Sequence, residues 1–485
     1  LDGLEKEKQV MAKAITHTTE GDHLSAANWI LLIVGVASLT VLAVSVPHLI
    51  GNEGWWVGAR AGEKFLFVAL VGYLGASVLY GSSVALRQAE LLRGAVLLSR
   101  AGLLLHTTAI VARWMSSGHA PLSDIYEMVL VFSWGVVAAH ALAEWRFKLP
   151  FLGAITLPIA SLSLILMQVL PGEIRPLVPA LQSTWLQIHV TLAMLSYAGF
   201  TISFAIALLY LVKDGVTPRN FLAWCAALML SVYGTIVATS VNGSMGLTMT
   251  AWDPAAGAKV MIAEHKALMV PLESLGWPFA IALALAAATL LLSLQAAYSA
   301  SPERWDRAAR WSFLAALGAQ ALALTLLLLK VSNGPHYVAD YAQGFEVRLA
   351  DSPFLLAGVT TVLFASIAWK VLDWKCDSII GYLPSRDSLD SLIYKTVAIS
   401  FPLLTFMIIA GAYWANRTWG TYWSWDPKED WALITWLTYA GYLHMRLTRG
   451  WRGRRSAYFA IIGFGVVMFT FFGVTYLLPG LHSYA

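Results

Sequence analysis

The sequence predicts an all-α fold: a polytopic membrane helix bundle of about 13 transmembrane helices, with the N-terminus inside and the C-terminus outside. Three observations predict it. First, 58% of the 485 residues are hydrophobic and 12% are charged, against about 25% charged in a soluble domain. Second, apolar runs of about 20 residues, long enough to cross a bilayer as helices, recur along the chain. Third, Lys and Arg fall in alternate connecting loops, which gives each loop a side.

In order, residues 1–28 carry Lys6, Lys8 and Lys13 and read as a cytoplasmic N-terminal segment. The run 29–49 reads as a retained anchor rather than a cleaved signal peptide. Runs at 65–86, 95–115, 124–145, 150–170 and 186–212 follow, completing an N-terminal membrane core over 29–219. Its inner loops hold Arg87 and Arg93, Arg146 and Lys148, and Lys213 and Arg219. Its outer side holds His119 in a loop and His189 at the entrance of a span. Four more runs, 221–241, 272–297, 310–331 and 353–373, occupy residues 220–375, with Arg304, Arg307, Arg310, Lys370 and Lys375 on the inner side. The runs 392–413, 427–447 and 456–478 complete a last region, 376–485. Arg386, Arg446, Arg449, Arg452, Arg454 and Arg455 fall in its inner loops.

Several function classes drop out. The net charge of +4 does not imply nucleic acid, because the basic residues sit in short loops between spans. Cys225 and Cys376 are far apart, so neither a disulfide framework nor a CxxC metal site is suggested. No CxxCH occurs, so the chain is not itself a c-type cytochrome.

The stretch "WGTYWSWDPKEDW", residues 419–431, holds Trp419, Trp423, Trp425, Trp431 and Tyr422 beside four charged residues. Asp426-Pro427-Lys428-Glu429 has the form of a helix start: a capping residue, Pro at the first helical position, and Glu three residues after the cap. Membrane-interface anchoring accounts for any one of these indoles. The cluster exceeds what one helix end needs, and an aromatic shelf outside the membrane suits a flat, apolar, partly charged ligand.

Four of the 11 histidines stand out. His189 opens a span, His482 follows the last one, His119 lies in an outer loop, and His444 sits near the inner end of the helix that "WDPKED" starts. A membrane histidine is often a hydrogen-bonded helix contact, yet ionisable groups inside spans are costly and point to function. Imidazole is also a common axial ligand of haem iron. A planar porphyrin with one iron and two carboxylates would use all these parts, with Arg417 and Lys428 as candidates for its acidic arms.

The motifs then resemble a known family. "WGTYWSWDPKEDWALITW" resembles the WWD signature of haem-handling proteins. "RWMSSGHAPLSDIYE", "LVPALQSTWLQIHV", "GYLHMR" and "GLHSYA" resemble, in order, the CcsA (ResC) branch of the System II pathway of cytochrome c maturation. The resemblance covers about residues 95–213 and 385–485. It implies that haem b is carried outward and presented, with a CcsB (ResB)-like membrane partner, to an apocytochrome c whose CxxCH thiols add to the haem vinyl groups. That would make the chain a holocytochrome c synthase (haem lyase) component, in the bacterial cytoplasmic membrane or, alternatively, a thylakoid membrane.

By the same resemblance His189 and His482 match the external iron ligands, His444 the inner one, and Trp419, Trp423, Trp425 and Asp426 the core of the signature. The family's second membrane histidine belongs to the partner, with His140 a stand-in within this chain. Asp430 stands where the family more often has Thr or Val. Residues 220–375 read as an inserted four-helix segment that compact members lack, with His265 and His336 in its outer loops.

Other readings stay open: a b-haem subunit for quinol electron transfer, with His106 and His140 as candidates, or a haem transporter without lyase activity. The neighbouring CcmC and CcmF families share the WWD signature but fit "SGHAPLSDIYE" and "GLHSYA" less well.

Overall fold

The computed structural model describes the chain from residue 61 onward, leaving out 148, 150, 151, 168, 169, 171, 173, 175, 242–246, 254–257, 260–268, 271–275, 339–345, 350–352, 479 and 481–485. The expected segment 1–28, the first span 29–49, His265 and His482 therefore lie outside the described residues, as does the side chain of His336.

The protein is helical, as expected, and every expected span after the first coincides with a helix. These are α1 (Glu63–Leu86), α2 (Ala89–Ser117), α3 (Ile125–Phe147), α4 (Gly153–Met167), α5 (Thr184–Lys213), α6 (Pro218–Val241) and α7 (Gly276–Tyr298). Then come α8 (Pro302–Val338), α9 (Pro353–Tyr382), α10 (Arg386–Trp419), α11 (Pro427–Thr448) and α12 (Arg454–Met468). Among the described residues, eight helices are long and apolar enough to cross a membrane: α1, α2, α3, α5, α7, α8, α10 and α12. Among the described residues α4 spans 15, short of a crossing, whereas α12, also 15, reaches 20 with the π-helical turn that continues it to Gly473. Charge at both ends of α11 (Lys428, Glu429 and Asp430 at one, Arg446 at the other) lowers its hydropathy.

The chain divides into two compact units. The first comprises Leu1–Met167, Pro171–Gly215 and Asp377–Ala485. Helix α5 lies at its centre, packed on α3, α10 and α12, and α11 packs on α10 and α12. Helices α1, α2, α3 and α4 form a second cluster of neighbours in this unit. Apolar contact between helices in lipid gains little from burial alone, so close packing depends on small residues and fitted rings. Both occur here. A Cβ on Gly199 of α5 would fall on Ser400 of α10, and one on Gly463 of α12 would lie 2.9 Å from the Tyr439 ring of α11. The Phe200 and Tyr439 rings stack at 3.6 Å with 10° between their planes.

Ion pairs join the helix ends of this unit far from the Trp-rich stretch. Arg446 of α11 grips Asp390 of α10 at 2.7 Å, and the Gly453 N–H donates to the same carboxylate at 2.8 Å. Asp214, just after α5, is held by Arg386 at 3.0 Å and Arg454 at 2.6 Å.

The second unit comprises Gln168–Leu170 and Val216–Cys376. Its core is built from α6 to α9 by Met229, Tyr233, Phe279, Phe313, Val359 and Trp369. An addition to the helical expectation is a small antiparallel sheet. Strand β1 (Leu247–Asp253) pairs with β2 (Ala258–Lys259), β3 (Met269–Val270) and β4 (Glu346–Leu349), with Met249 opposite Leu349. Helix α9 breaks at Lys375, whose backbone leaves helical angles, one residue before this unit ends.

Candidate functional site: a cavity at the head of α11

Local backbone rules shape the Trp-rich stretch. Helix α10 runs to Trp419 and stops at Gly420, which takes φ +79° and donates its N–H to Asn416 O at 3.0 Å. That left-handed stop suits glycine. Five residues later Trp425 takes φ +59°, the second such non-glycine among the described residues after Arg87. This conformation is uncommon for a bulky side chain and concentrates at functional sites. Trp425 is 71% exposed.

The next residue starts α11 as the sequence anticipates. Asp426, 5% exposed, accepts from the Lys428 N–H at 3.1 Å and forms a capping box with Glu429, with Pro427 in the first turn. One Glu429 oxygen collects three donors: the Ser424 N–H at 2.7 Å, the Ser424 hydroxyl at 3.1 Å and the Asp426 N–H at 3.4 Å. The Glu429 carboxylate thus shapes the turn that presents Trp423 and Trp425, whose rings meet edge to face at 6.1 Å.

Beside this head lies a cavity of about 120 Å³. His189, Trp414, Tyr422, Trp423, Lys428 and Phe471 are among its walls. His189 comes from α5. Its Nδ1–H donates to the Met407 carbonyl of α10 at 2.7 Å, which puts the imidazole lone pair on Nε2. The Trp414 ring lies nearly parallel to it at 6.5 Å and is anchored in turn by its own N–H to Ala180 O at 3.0 Å. Leu122 and Ser123, from the loop between α2 and α3, add another wall. Thr470 and Phe471 line the cavity from a π-helical turn, Phe469–Gly473, that follows α12. Such turns often mark functional sites.

The sequence-predicted residues divide as follows. His189 and Trp423 share the cavity. Trp425 and Asp426 build the adjoining turn, and Trp419 packs on Trp414 at 4.8 Å. His482 lies outside the described residues, but Gly480 lies against Asp426, so the last described residue passes the head of α11. His444 is elsewhere: it is exposed near the far end of α11.

His119 is not among the cavity walls; its Nδ1–H donates to Ala120 O at 3.0 Å. Arg417 is not among them either, and it bonds the Tyr413 hydroxyl at 3.1 Å. His106 has both ring nitrogens engaged, with Tyr73 at 3.3 Å and Leu130 O at 3.1 Å. His140, fully buried, bonds the Tyr80 hydroxyl at 3.3 Å, and that hydroxyl donates to Glu144 at 2.7 Å. Among the described residues no group of three or more His, Cys, Asp or Glu could hold a bare metal ion.

The sequence reading missed three parts. Gly411 of α10 faces His189 so closely that a Cβ there would lie 2.6 Å from the imidazole. Trp414, one indole upstream of the quoted motif, backs that imidazole. The third part is a fully buried pair, Arg113 of α2 and Glu127 of α3, at 2.8 Å. It carries the cavity loop, because the second Glu127 oxygen takes both the N–H and the hydroxyl of Ser123, at 2.8 and 2.6 Å. Charged residues inside two apolar runs were the available signal for that pair.

Residues 122–482 match the family model described as "Cytochrome C assembly protein". Among curated proteins the chain is 33% identical over 382 residues to "Cytochrome c biogenesis protein CcsA" of Nostoc punctiforme, covering 78% of this chain and 84% of that one. It is 33% identical over 422 residues to the CcsA protein of Synechococcus sp. (strain JA-3-3Ab), covering 86% and 93%. The CcsA protein of Picosynechococcus sp. is 32% identical over 381 residues, covering 78% and 83%.

Proposed function

This chain belongs to the cytochrome c assembly protein family, on its CcsA branch, and from that premise we propose that its cavity holds haem b for covalent attachment to apocytochrome c. This is an integral membrane protein of cytochrome c maturation, a process that handles haem. The finer reading is as follows.

His189 would hold the haem iron. Its tautomer is set by Met407 O, so the nitrogen with the lone pair is Nε2, and a second-shell bond of this kind orients a metal-binding imidazole. His482 would be the second residue to hold that iron. Gly480 lies at the head of α11, and two further residues span at most about 7 Å. Trp419, Trp423 and Trp425 form the shelf against the ring, and Asp426 fixes the turn that carries two of them.

Size supports a partly exposed ligand. The cavity, about 120 Å³, is smaller than a pocket that swallows a drug-sized molecule, roughly 300–1000 Å³. A cavity of this size would hold only part of a macrocycle. When bound, haem supplies vinyl groups to which the CxxCH thiols of the client add. This chain's residues hold and orient, so its contribution is proximity, not acid–base chemistry.

His444 serves a second, inner station. It sits 16 residues beyond Lys428 on one helix, about 24 Å away at 1.5 Å per residue. Its exposure on α11 fits a partner imidazole supplied by a CcsB/ResB-like chain. The bacterial cytoplasmic membrane, with the cavity outside, is the setting that suits an external client.

The observation that carries this reading is a tautomer-fixed imidazole and an indole on the walls of one cavity. A visible spectrum of the purified chain, with His189, His482 and His444 each replaced by Ala, tests it. Loss of the cavity's iron ligation in the first two is expected; three unchanged spectra would sink it.

A b-haem quinol oxidase is disfavoured at His106, while His140 keeps a buried Nδ1 with no hydrogen-bond partner. His106 is bonded through both nitrogens, and His140 packs edge to face on Tyr80 at 5.5 Å. A transporter without lyase activity predicts haem uptake but no thioether on an added CxxCH peptide.

A further inference from the structure

The cavity carries, besides His189, two donors that no bond in the fold explains. The indole N–H of Trp423 is buried and has no hydrogen-bond partner. An indole nitrogen can only donate, and leaving such a group unpaired when buried is unfavourable. Other indoles in the same unit are satisfied: Trp414 by Ala180 O at 3.0 Å, Trp134 by Thr107 at 2.9 Å and Trp436 by Thr405 at 2.9 Å. Trp423 therefore stands apart, and its side chain is a cavity wall.

Lys428 is the second donor. It lines the same cavity from the first turn of α11. The nearby carboxylates are committed to shaping the turn. Asp426 caps the helix and attracts the Lys428 ammonium without bonding it, and Glu429, itself a cavity wall, is engaged by Ser424 and the Asp426 N–H. Asp430, with one buried oxygen unpaired, is not among the cavity walls. A neutral N–H donor and an ammonium on one apolar cavity form a site for a carboxylate, since charge-assisted hydrogen bonds are the strong ones.

We propose that Trp423 Nε1–H and the Lys428 ammonium form a carboxylate-binding pair that grips the acidic arm of the ring ligand while His189 takes its metal. The proposal rests on the haem reading above and deepens it. Protoporphyrin carries both carboxylates on one edge, so gripping that edge at the head of α11 sets the ring's rotation about the axial bond. It also assigns the acid-binding role away from Arg417, which is exposed and stacked on Tyr413 at 5.2 Å.

The test compares two probes on the purified full chain in nanodiscs: iron protoporphyrin IX and its dimethyl ester, whose arms cannot ionise. The wild type is expected to bind the free acid about tenfold tighter or more, the scale of one charged hydrogen bond. Lys428→Met and Trp423→Phe each bring acid binding down toward that of the ester, so that the ratio of the two affinities falls toward one. Lys428→Arg and Arg417→Ala keep the preference. Equal wild-type affinity for the two porphyrins overturns the pair and spares the haem reading. So does loss of ester binding in both variants, which would mark a purely structural role. A wild type that takes up neither porphyrin overturns both.

Discussion

Gly411 shows how one missing methyl can decide a site. Alanine in a helix interior is worth roughly 0.5–1 kcal/mol over glycine, so local propensity favours Gly411→Ala. Against it stands the 2.6 Å approach of the new Cβ to both Nδ1 and Cε1 of His189. No real Cβ tolerates that distance, and the neighbour is the ring of a side chain held by a 2.7 Å bond to Met407 O. The imidazole gives way rather than α10, which is packed along α5. Gly411→Ala is therefore expected to keep the helical circular dichroism and melting temperature of the wild type. It is expected to lose the ligand absorption that depends on His189, as His189→Ala does. A variant with unchanged haem absorption would show that His189 does not need its observed place.

At the scale of the element, the start of α11 and the walls around it differ in how far they were legible. The capped start could be read because its signals are local: Asp426, Pro427 and Glu429 act on backbone groups within four residues. The expected spans were legible for a similar reason, since apolar length is a property of a contiguous run. The opposite wall was not. Leu122 and Ser123 line the cavity on a loop where Glu127 holds Ser123 and Arg113 holds Glu127. That pairing spans two helices, and no period in either announces it. The short sheet on β1 is another case, made of pairings up to about a hundred residues apart that loop composition does not reveal. Cap chemistry yields its own prediction. Asp426→Ala should cost about 0.5–2 kcal/mol, and Asp426→Asn should recover most of it, because the amide oxygen still accepts the helix N–H. If the carboxylate acts only through the turn, Asn restores thioether formation together with the melting temperature. Recovery of stability without activity would instead put the charge itself to use.

Across the whole first unit, the cavity and His444 lie at opposite ends of one helix, and the ends are built differently. The cavity end is aromatic and open, with Tyr422 and Trp425 exposed. The His444 end is clamped by charge: Arg446 on Asp390, and Arg386 and Arg454 on Asp214, tie α5, α10, α11 and α12 together. Lys213 adds bonds to the Ile380 and Leu383 carbonyls at 2.8 and 3.1 Å. No porphyrin spans the roughly 24 Å between His444 and the cavity, so on the proposed function the two positions would be separate stations whose losses should differ in kind. His444 is exposed, and substitution at such a site usually shifts stability by less than about 0.5 kcal/mol. His444→Ala protein should therefore fold normally and, once purified, take up added haem at the cavity with wild-type affinity. What it should lack is haem acquired in the cell. His189→Ala should do the reverse, arriving with haem at the inner station and failing to bind more at the cavity. Haem quantified as isolated and again after titration separates the two. If His444→Ala abolishes binding of added haem as well, the stations are one coupled site and the division along α11 is wrong.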